Sequence, residues 1–233
     1  MTLHEAYVHV QQGLQNIAAF VNKNVETWEL DFFWQKGTNK FIKIAVPNID
    51  DTRIEEEYEG IQASLDDLRV LVVGNTAITL GSETTFGGYT YKAGSLPATY
   101  RHLLNDRTKV SPVNCTTTET REVPNRLTKH QDLFNILENS LQKTTIASPV
   151  SKIEGSNIVV YNSYKGVKQF NIEALYIDYL KKPTIYTYAT DSGTTLEFPD
   201  DVCFKIIDTT LLYMMKVAEQ NPTKIQLLTP TRE

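Results

Sequence analysis

Residues 51–91 read DTRIEEEYEGIQASLDDLRVLVVGNTAITLGSETTFGGYTY, and a change of pattern within this stretch decides the fold class. In its first half Ile54, Tyr58, Ile61, Leu65, Leu68 and Val72 recur at alternating steps of four and three residues. That spacing lines them up on one helical seam. Thr52 and Glu55 have the separation of a capping box, and Gly74-Asn75 supplies a stop. A helix is therefore expected over 51–73, with Leu65 and Leu68 buried against the helices before it. In the second half the periodicity switches. Ala77-Ile78-Thr79-Leu80 and Tyr89-Thr90-Tyr91 read as strands on either side of Gly81–Gly88, a glycine-rich stretch expected to form a flexible tip.

Toward the N-terminus the chain reads as helix. Thr2 and Glu5 form a capping-box spacing, and Tyr7, Val10, Leu14, Ile17 and Val21 make one apolar face. A second helix, Glu26 to Phe41, carries Trp28, Leu30, Phe32, Phe33, Trp34 and Phe41, with Gly37 as a weak point in its middle. This aromatic cluster either packs the core of a small helical bundle or forms a partner-binding patch.

Toward the C-terminus short elements alternate. Leu96-Pro97 is expected to open a short helix reaching Asn105, and 108–123 reads as strand. Thr128 and Gln131 give a third capping-box spacing before Leu133, Phe134, Ile136 and Leu137, a helix ending near Ser140. Val150–Ile153 and Ile158–Tyr161 flank Gly155-Ser156, a hairpin signal. Strands are expected over Phe170–Tyr179 and Thr184–Tyr188. A final helix starts at Pro199, with the face Val202, Ile206, Thr210, Met214 and Val217, and is expected to pack on the β region. Helices first and strands afterwards argue for an α+β fold. The expected organisation is an N-terminal helical bundle (1–75), an antiparallel β-rich region with short helices (76–195), a C-terminal helix packing on the core (196–221) and a flexible tail (222–233).

The chain has 233 residues, 41% hydrophobic and 22% charged, which is ordinary for a globular protein able to bury a core without disulfides. Its formal net charge is −5, and no basic stripe is evident. Nucleic-acid binders draw most of their affinity from neutralising phosphates, so specific nucleic-acid binding is not expected. The densest charge run is acidic: Asp50, Asp51, Glu55, Glu56, Glu57 and Glu59. It reads as a solvated helix start, as a docking surface for a basic partner, or as a wall that repels passing DNA. The two cysteines, Cys115 and Cys203, form no CxxC, which fits a reduced compartment. No secretory signal is visible at the start, and no apolar run approaches the roughly 20 residues that span a bilayer. The sequence thus reads as a soluble intracellular protein.

No reactive constellation emerges. His4 and His9 are five apart and do not share a helix face, while His102 and His130 lie in separate segments. Cys203 sits in an apolar helical run, the setting of an inert buried thiol. There is no GxSxG elbow, GxGxxG or GxxxxGK[ST]. Asp66-Asp67 and Asp200-Asp201 are consecutive, so on a helix they diverge. No catalytic, cofactor-binding or metal-ligating residue is assigned, and no cofactor is expected.

Five segments in order resemble the ring-forming head–tail connector proteins of crAss-like and related tailed bacteriophages. They are Glu29-Leu30-Asp31-Phe32-Phe33-Trp34-Gln35-Lys36-Gly37-Thr38-Asn39-Lys40-Phe41, Ser64-Leu65-Asp66-Asp67-Leu68-Arg69, Leu96-Pro97-Ala98-Thr99-Tyr100, Tyr176-Ile177-Asp178-Tyr179-Leu180-Lys181-Lys182-Pro183, and Leu196-Glu197-Phe198-Pro199-Asp200-Asp201-Val202 continuing to Ile206-Ile207-Asp208. In the first, Trp34-Gln35 stands where that family has a Leu-Asn-like pair. The resemblance implies a virion protein without enzymatic activity, assembled in the host bacterial cytoplasm. It implies a homo-oligomeric, dodecameric ring below the portal, in contact with the portal and other ring or tail proteins, with DNA passing through the lumen and no membrane partner. The residues expected to meet partners are Trp28, Phe32, Trp34, Phe86, Ile225, Leu227 and Leu228. Two other classes stay open: a free-standing interaction module or virion assembly chaperone, and a small hydrolase or nucleic-acid-processing enzyme without a recognisable motif. In a gel-shift titration at physiological salt, free duplex DNA should not be bound tightly. A submicromolar, strongly salt-dependent affinity would contradict the charge argument.

Overall fold

The computed structural model describes residues 1–16, 25–46, 66–113 and 119–220. In chain order the elements are α1 (Leu3–Gln15), α2 (Thr27–Ala45), β1 (Val72–Ile78), β2 (Thr84–Phe86), β3 (Tyr89–Ser95), β4 (Tyr100–Pro112), β5 (Arg121–Pro124), β6 (Arg126–Leu127), α3 (Leu133–Glu138), β7 (Val150–Glu154), β8 (Asn157–Tyr161), β9 (Ser163–Tyr164), β10 (Val167–Lys168), β11 (Phe170–Lys181), α4 (Tyr188–Asp191) and α5 (Asp200–Gln220). The fold is α+β, as the order of patterns predicts. The chain divides into a discontinuous helical unit, 1–70 with 183–233, and a β unit, Leu71–Lys182. The expected serial division at 75, 195 and 221 is thereby replaced by an insertion.

In the helical unit the Thr2/Glu5 capping box forms in both directions, Thr2 N–H donating to Glu5 at 2.8 Å. Helix α1 buries Leu3, Ala6, Tyr7, Val10 and Leu14. Helix α2 buries Leu30, Trp34, Phe41, Ile42 and Ala45. Both stripes close against α5, which buries Val202, Cys203, Ile206, Ile207, Thr210 and Met214. The expectation that the final helix packs on the β region is therefore corrected: its neighbours are α2 and α1. An amphipathic helix must bury its apolar stripe, and these three stripes satisfy one another. The start of the chain is stitched to the segment leading into α5, with Leu3 N–H donating to Thr194 O at 3.1 Å and Leu196 N–H to Met1 O at 3.0 Å. Phe198 is buried ahead of α5, in the place of a hydrophobic staple.

Gly37 shows why α2 tolerates a residue that weakens helices. A Cβ built there would lie 1.9 Å from Thr210 Oγ1 and 3.1 Å from Thr210 Cα. The Thr210 side chain of α5 occupies the space that a side chain at Gly37 would need. Buried Thr210 satisfies its hydroxyl within its own helix, donating to Ile206 O at 2.8 Å.

Most of the helix expected over 51–73 falls on 51–65, outside the described residues. Of the rest, 66–68 are helical, Arg69–Leu71 form a 3-10 turn, and Val72 already belongs to β1. Leu68 is fully buried, as expected. Lys205 of α5 holds this turn through Asp67 at 2.6 Å. Gly74-Asn75 is no helix stop. It is a bulge in β1, with Asn75 at φ 51° and its N–H donating to Asp178 at 2.6 Å.

The β unit stacks a four-stranded sheet, β1-β11-β4-β5, against a five-stranded one, β2-β3-β8-β7-β6. A two-stranded ribbon, β9-β10, stands beside them. Among the described residues the strand pairings are antiparallel except β6 with β7. In β8, Ile158 and Val160 face the core between the sheets, while Val159 and Tyr161 face Leu133 and Leu137 of α3. This is the two-residue period of a strand covered on both sides. Strand β11 buries Phe170 and Ile172, then Leu175, Ile177 and Tyr179 in the same core. The switch from even to odd positions falls where its register against β4 shifts, between Ile172 and Ala174. A bulge inserts one residue and restores the inward face.

Three further expectations are corrected. The helix expected after Pro97 is the long strand β4, because its partner is β11; Pro97 makes a turn, accepting from Tyr100 N–H at 2.9 Å. Thr184–Tyr188 forms no strand, and α4 begins at Tyr188. Thr128 caps no helix: its hydroxyl turns back to Arg126 O at 3.4 Å, and a 3-10 turn precedes α3.

Gly37→Ala should cost about 1–3 kcal/mol by overpacking, despite alanine's better helix propensity. Gly13→Ala meets only the mobile methyls of Leu211, at 2.6 Å, and should cost clearly less. Thermal or urea denaturation of both variants checks this, and equal effects would contradict the close crossing.

Candidate functional site

The expected interface aromatics separate sharply. Trp34 is 4% exposed and belongs to the core, so its assignment to a partner surface is corrected. Tyr7 packs tilted against it, with ring centres 6.4 Å apart. Trp28 and Phe32 are 63% and 48% exposed. They lie one turn apart on the outer side of α2, as a spacing of four residues requires. Ile225, Leu227 and Leu228 lie outside the described residues.

From Phe32 an aromatic and basic surface continues along α2. Phe33 meets Phe32 edge-on at 5.5 Å and Tyr213 of α5 at 6.2 Å. The Lys36 ammonium lies 5.3 Å from the Phe32 ring centre, in cation–π range. Beyond it opens a trough of about 570 Å³ lined by Lys36, Asn39, Lys40, Lys43, Ile44 and Tyr213. Ile44 is 56% exposed within it. Lys40 and Lys43 make no ion pair with any described residue. A solvated lysine face is common on helices. An apolar floor between such lysines is less so, and it suits a ligand that is apolar and negatively charged at once. The sequence reading passed over this surface. Lys36, Lys40 and Lys43, at steps of four and three, were its only legible signal. Tyr213 could not be placed there before the α2–α5 crossing was known.

Phe86, 73% exposed, marks a second surface. The Gly81–Gly88 segment, expected as a flexible tip, has regular secondary structure. It forms β2 and a two-residue turn, with Gly87 and Gly88 at φ 61° and 81°, backbone that only glycine adopts freely. Glu83 anchors it, accepting from the fully buried Asn162 and from Lys168 at 2.9 Å. Burial alone would raise the Glu83 pKa. The hydrogen bonds from Asn162 and Lys168 outweigh it and hold the carboxyl below its ordinary value. Phe86 and exposed Val167 thus sit on two hairpins whose turns approach each other at Gly88 and Gly166.

The candidate reactive groups are engaged structurally. Cys203 is buried, which pushes its thiol up to about 11. Tyr7 donates to Asp31 at 2.5 Å, Asp31 also accepts from Tyr188 N–H at 2.9 Å, and the two tyrosine rings stack 5.4 Å apart. Burial and the neighbouring carboxylate raise the Tyr7 phenol far above its usual range, so it stays protonated. This cluster clasps α4 to α1 and α2. Buried Asp106, whose carboxyl burial also raises, accepts from Asn125 at 2.6 Å where the chain passes from β5 to β6. A cleft of about 630 Å³ beside β1 and β3 is lined by Ala77, Ala93, Gly94, Ser95, Pro97 and Asn157 among others, with no titratable side chain. Among the described residues no group of three or more His, Cys, Asp or Glu could hold a metal ion, and no helix is long and apolar enough to cross a membrane. No protein-family profile matches the sequence, and no curated protein matches it significantly.

Trp28→Ser and Phe32→Ser should each change stability by no more than about 0.5 kcal/mol. Trp34→Ala should cost about 3–5 kcal/mol. Urea denaturation of the three variants checks the assignment; a strongly destabilised Trp28→Ser would place that ring in the core.

Proposed function

We propose that the chain is a virion structural protein, one subunit of a dodecameric ring in the head–tail connector below the portal, forming part of the wall of the DNA conduit. The observation that carries this reading is the outer face of α2, where Trp28, Phe32 and Ile44 stay exposed beside Lys40 and Lys43, which make no ion pair with any described residue, on a helix whose other face is locked into a core. Large exposed apolar groups in a contiguous patch mark interaction surfaces. Such a patch on a rigid helix suits a subunit that must meet its neighbour in one orientation. The resemblance over residues 29–217 supplies the class of assembly. The net charge of −5 suits a conduit wall, along which DNA must pass without sticking. Ring subunits need two different complementary surfaces, since a head-to-tail contact closes by rotation.

The alternative reading, a free-standing interaction module or assembly chaperone, would use the same α2 face for a transient partner. Mass measurement of the assembled object separates them. In host cells expressing the other virion proteins, the chain should be found in finished particles at a fixed multiple per portal. The double variant Trp28→Ser/Phe32→Ser should fold normally yet be incorporated poorly. Finished particles lacking the chain would favour the chaperone, and normal incorporation of the variant would remove the α2 face from the contact.

A further inference from the structure

The trough on α2 is basic in an acidic protein. Three lysines, Lys36, Lys40 and Lys43, stand around an apolar floor formed by Ile44 and the Tyr213 ring. A ligand that covered these exposed lysines would have to offer carboxylates or phosphates, whereas exposed Ile44 demands apolar contact. A ligand meeting both needs has acidic and apolar side chains on one short segment.

The chain carries such a segment itself. Asp50, Asp51, Glu55, Glu56, Glu57 and Glu59 are interleaved with Ile54, Tyr58 and Ile61. Its sign is opposite to that of the trough, and its apolar residues match the trough's floor. We propose that the trough receives the acidic stretch 50–61 of a second copy of this chain, so that each subunit offers the stretch to one neighbour and the trough to the other. This rests on the ring reading and names the partner surface within it. The two surfaces differ, so the contact is head-to-tail, the kind that builds rings rather than two-fold dimers. Complementary charge also fixes register and excludes a trough-to-trough encounter, in which lysines would face lysines. Phosphate binding is disfavoured by the floor: Ile44 and Tyr213 offer an apolar strip rather than further donors for a sugar–phosphate backbone.

The test uses the full chain in assembled particles or rings, grown as a mixture of light and heavy-isotope subunits. A zero-length carbodiimide reagent joins only ammonium and carboxylate groups already in contact. Crosslinks between Lys36, Lys40 or Lys43 and Glu55, Glu56, Glu57 or Glu59 are expected to carry one light and one heavy peptide at the mixing ratio. Crosslinks of uniform label would show the stretch folding onto its own trough, and absence of these crosslinks would show that something else occupies it; either result overturns the proposal. Charge reversal gives an independent arm. Lys36→Glu/Lys40→Glu/Lys43→Glu and Glu55→Lys/Glu56→Lys/Glu57→Lys should each fail to assemble alone and should assemble when mixed, since each then supplies the other's complement. Failure of the mixture, or assembly of either variant alone, overturns the contact. In the second case the ring reading survives. If the wild-type chain forms no ring and enters no particle, the ring reading itself fails. A trough that shifts an oligonucleotide and no acidic peptide would replace the protein partner with nucleic acid.

Discussion

The approach of α5 to α2 at Gly37 is the constraint from which the helical unit follows. With no side chain at Gly37, the Thr210 side chain enters the space a Cβ would fill, and the two helices cross closely there. That crossing sets which faces are inward. It buries Trp34, Phe41 and Ile42 on one side of α2 and turns Trp28, Phe32, Lys36, Lys40, Lys43 and Ile44 outward on the other. It also brings Tyr213, three residues beyond Thr210, alongside those lysines to complete the trough. The exposed aromatic and basic face of α2 is thus a by-product of one close contact between segments far apart in the chain.

The insertion between α2 and α5 is closed by its own hydrogen bonds. Strands β1 and β11, its first and last, pair antiparallel from Val72 opposite Leu180 to Ile78 opposite Leu175. The chain therefore leaves and re-enters at neighbouring positions of one sheet. That geometry lets a β unit be inserted while α1, α2 and α5 keep packing on one another. Bulges in β1 and β11 adjust the inward faces of both strands, so that a long pairing still presents Ile78, Leu175, Ile177 and Tyr179 to a single core.

Local signals were legible in the sequence and non-local ones were not. The Thr2/Glu5 capping box, the helical period of α2 and α5, and the glycine turn between β7 and β8 depend on residues close together in sequence, and each appeared as expected. Leu96–Asn105 failed because its strand state comes from pairing with β11, some seventy-five residues later in register. Val70-Leu71-Val72-Val73 continued a helical seam numerically while also being a β-branched run ending at a bulge; periodicity cannot separate these readings. The insertion was invisible for the same reason, since nothing in α5 itself names its partner. The site shows the same split. Exposed Trp28 and Phe32 were readable as interface candidates, but Trp34 shares their composition and differs only in phase about α2. Phe86 is exposed, on a hairpin rather than an open loop, and the Glu83–Asn162 anchor beneath it could not be read because it bridges residues distant in sequence.

What unites these observations is a division of labour within one helix. The inner half of α2 is spent on stability, and the outer half carries apolar and basic groups that the described fold leaves uncovered. Apolar surface is costly to expose to water, and this face is the one that the proposed ring contact would cover. An electron-cryomicroscopy map of the native assembly addresses this directly. The expected map is a rotationally closed ring in which Trp28, Phe32 and the Lys36–Lys43 trough are buried between adjacent subunits. A map with that face open to solvent, or with the chains related only by two-fold axes, would contradict it.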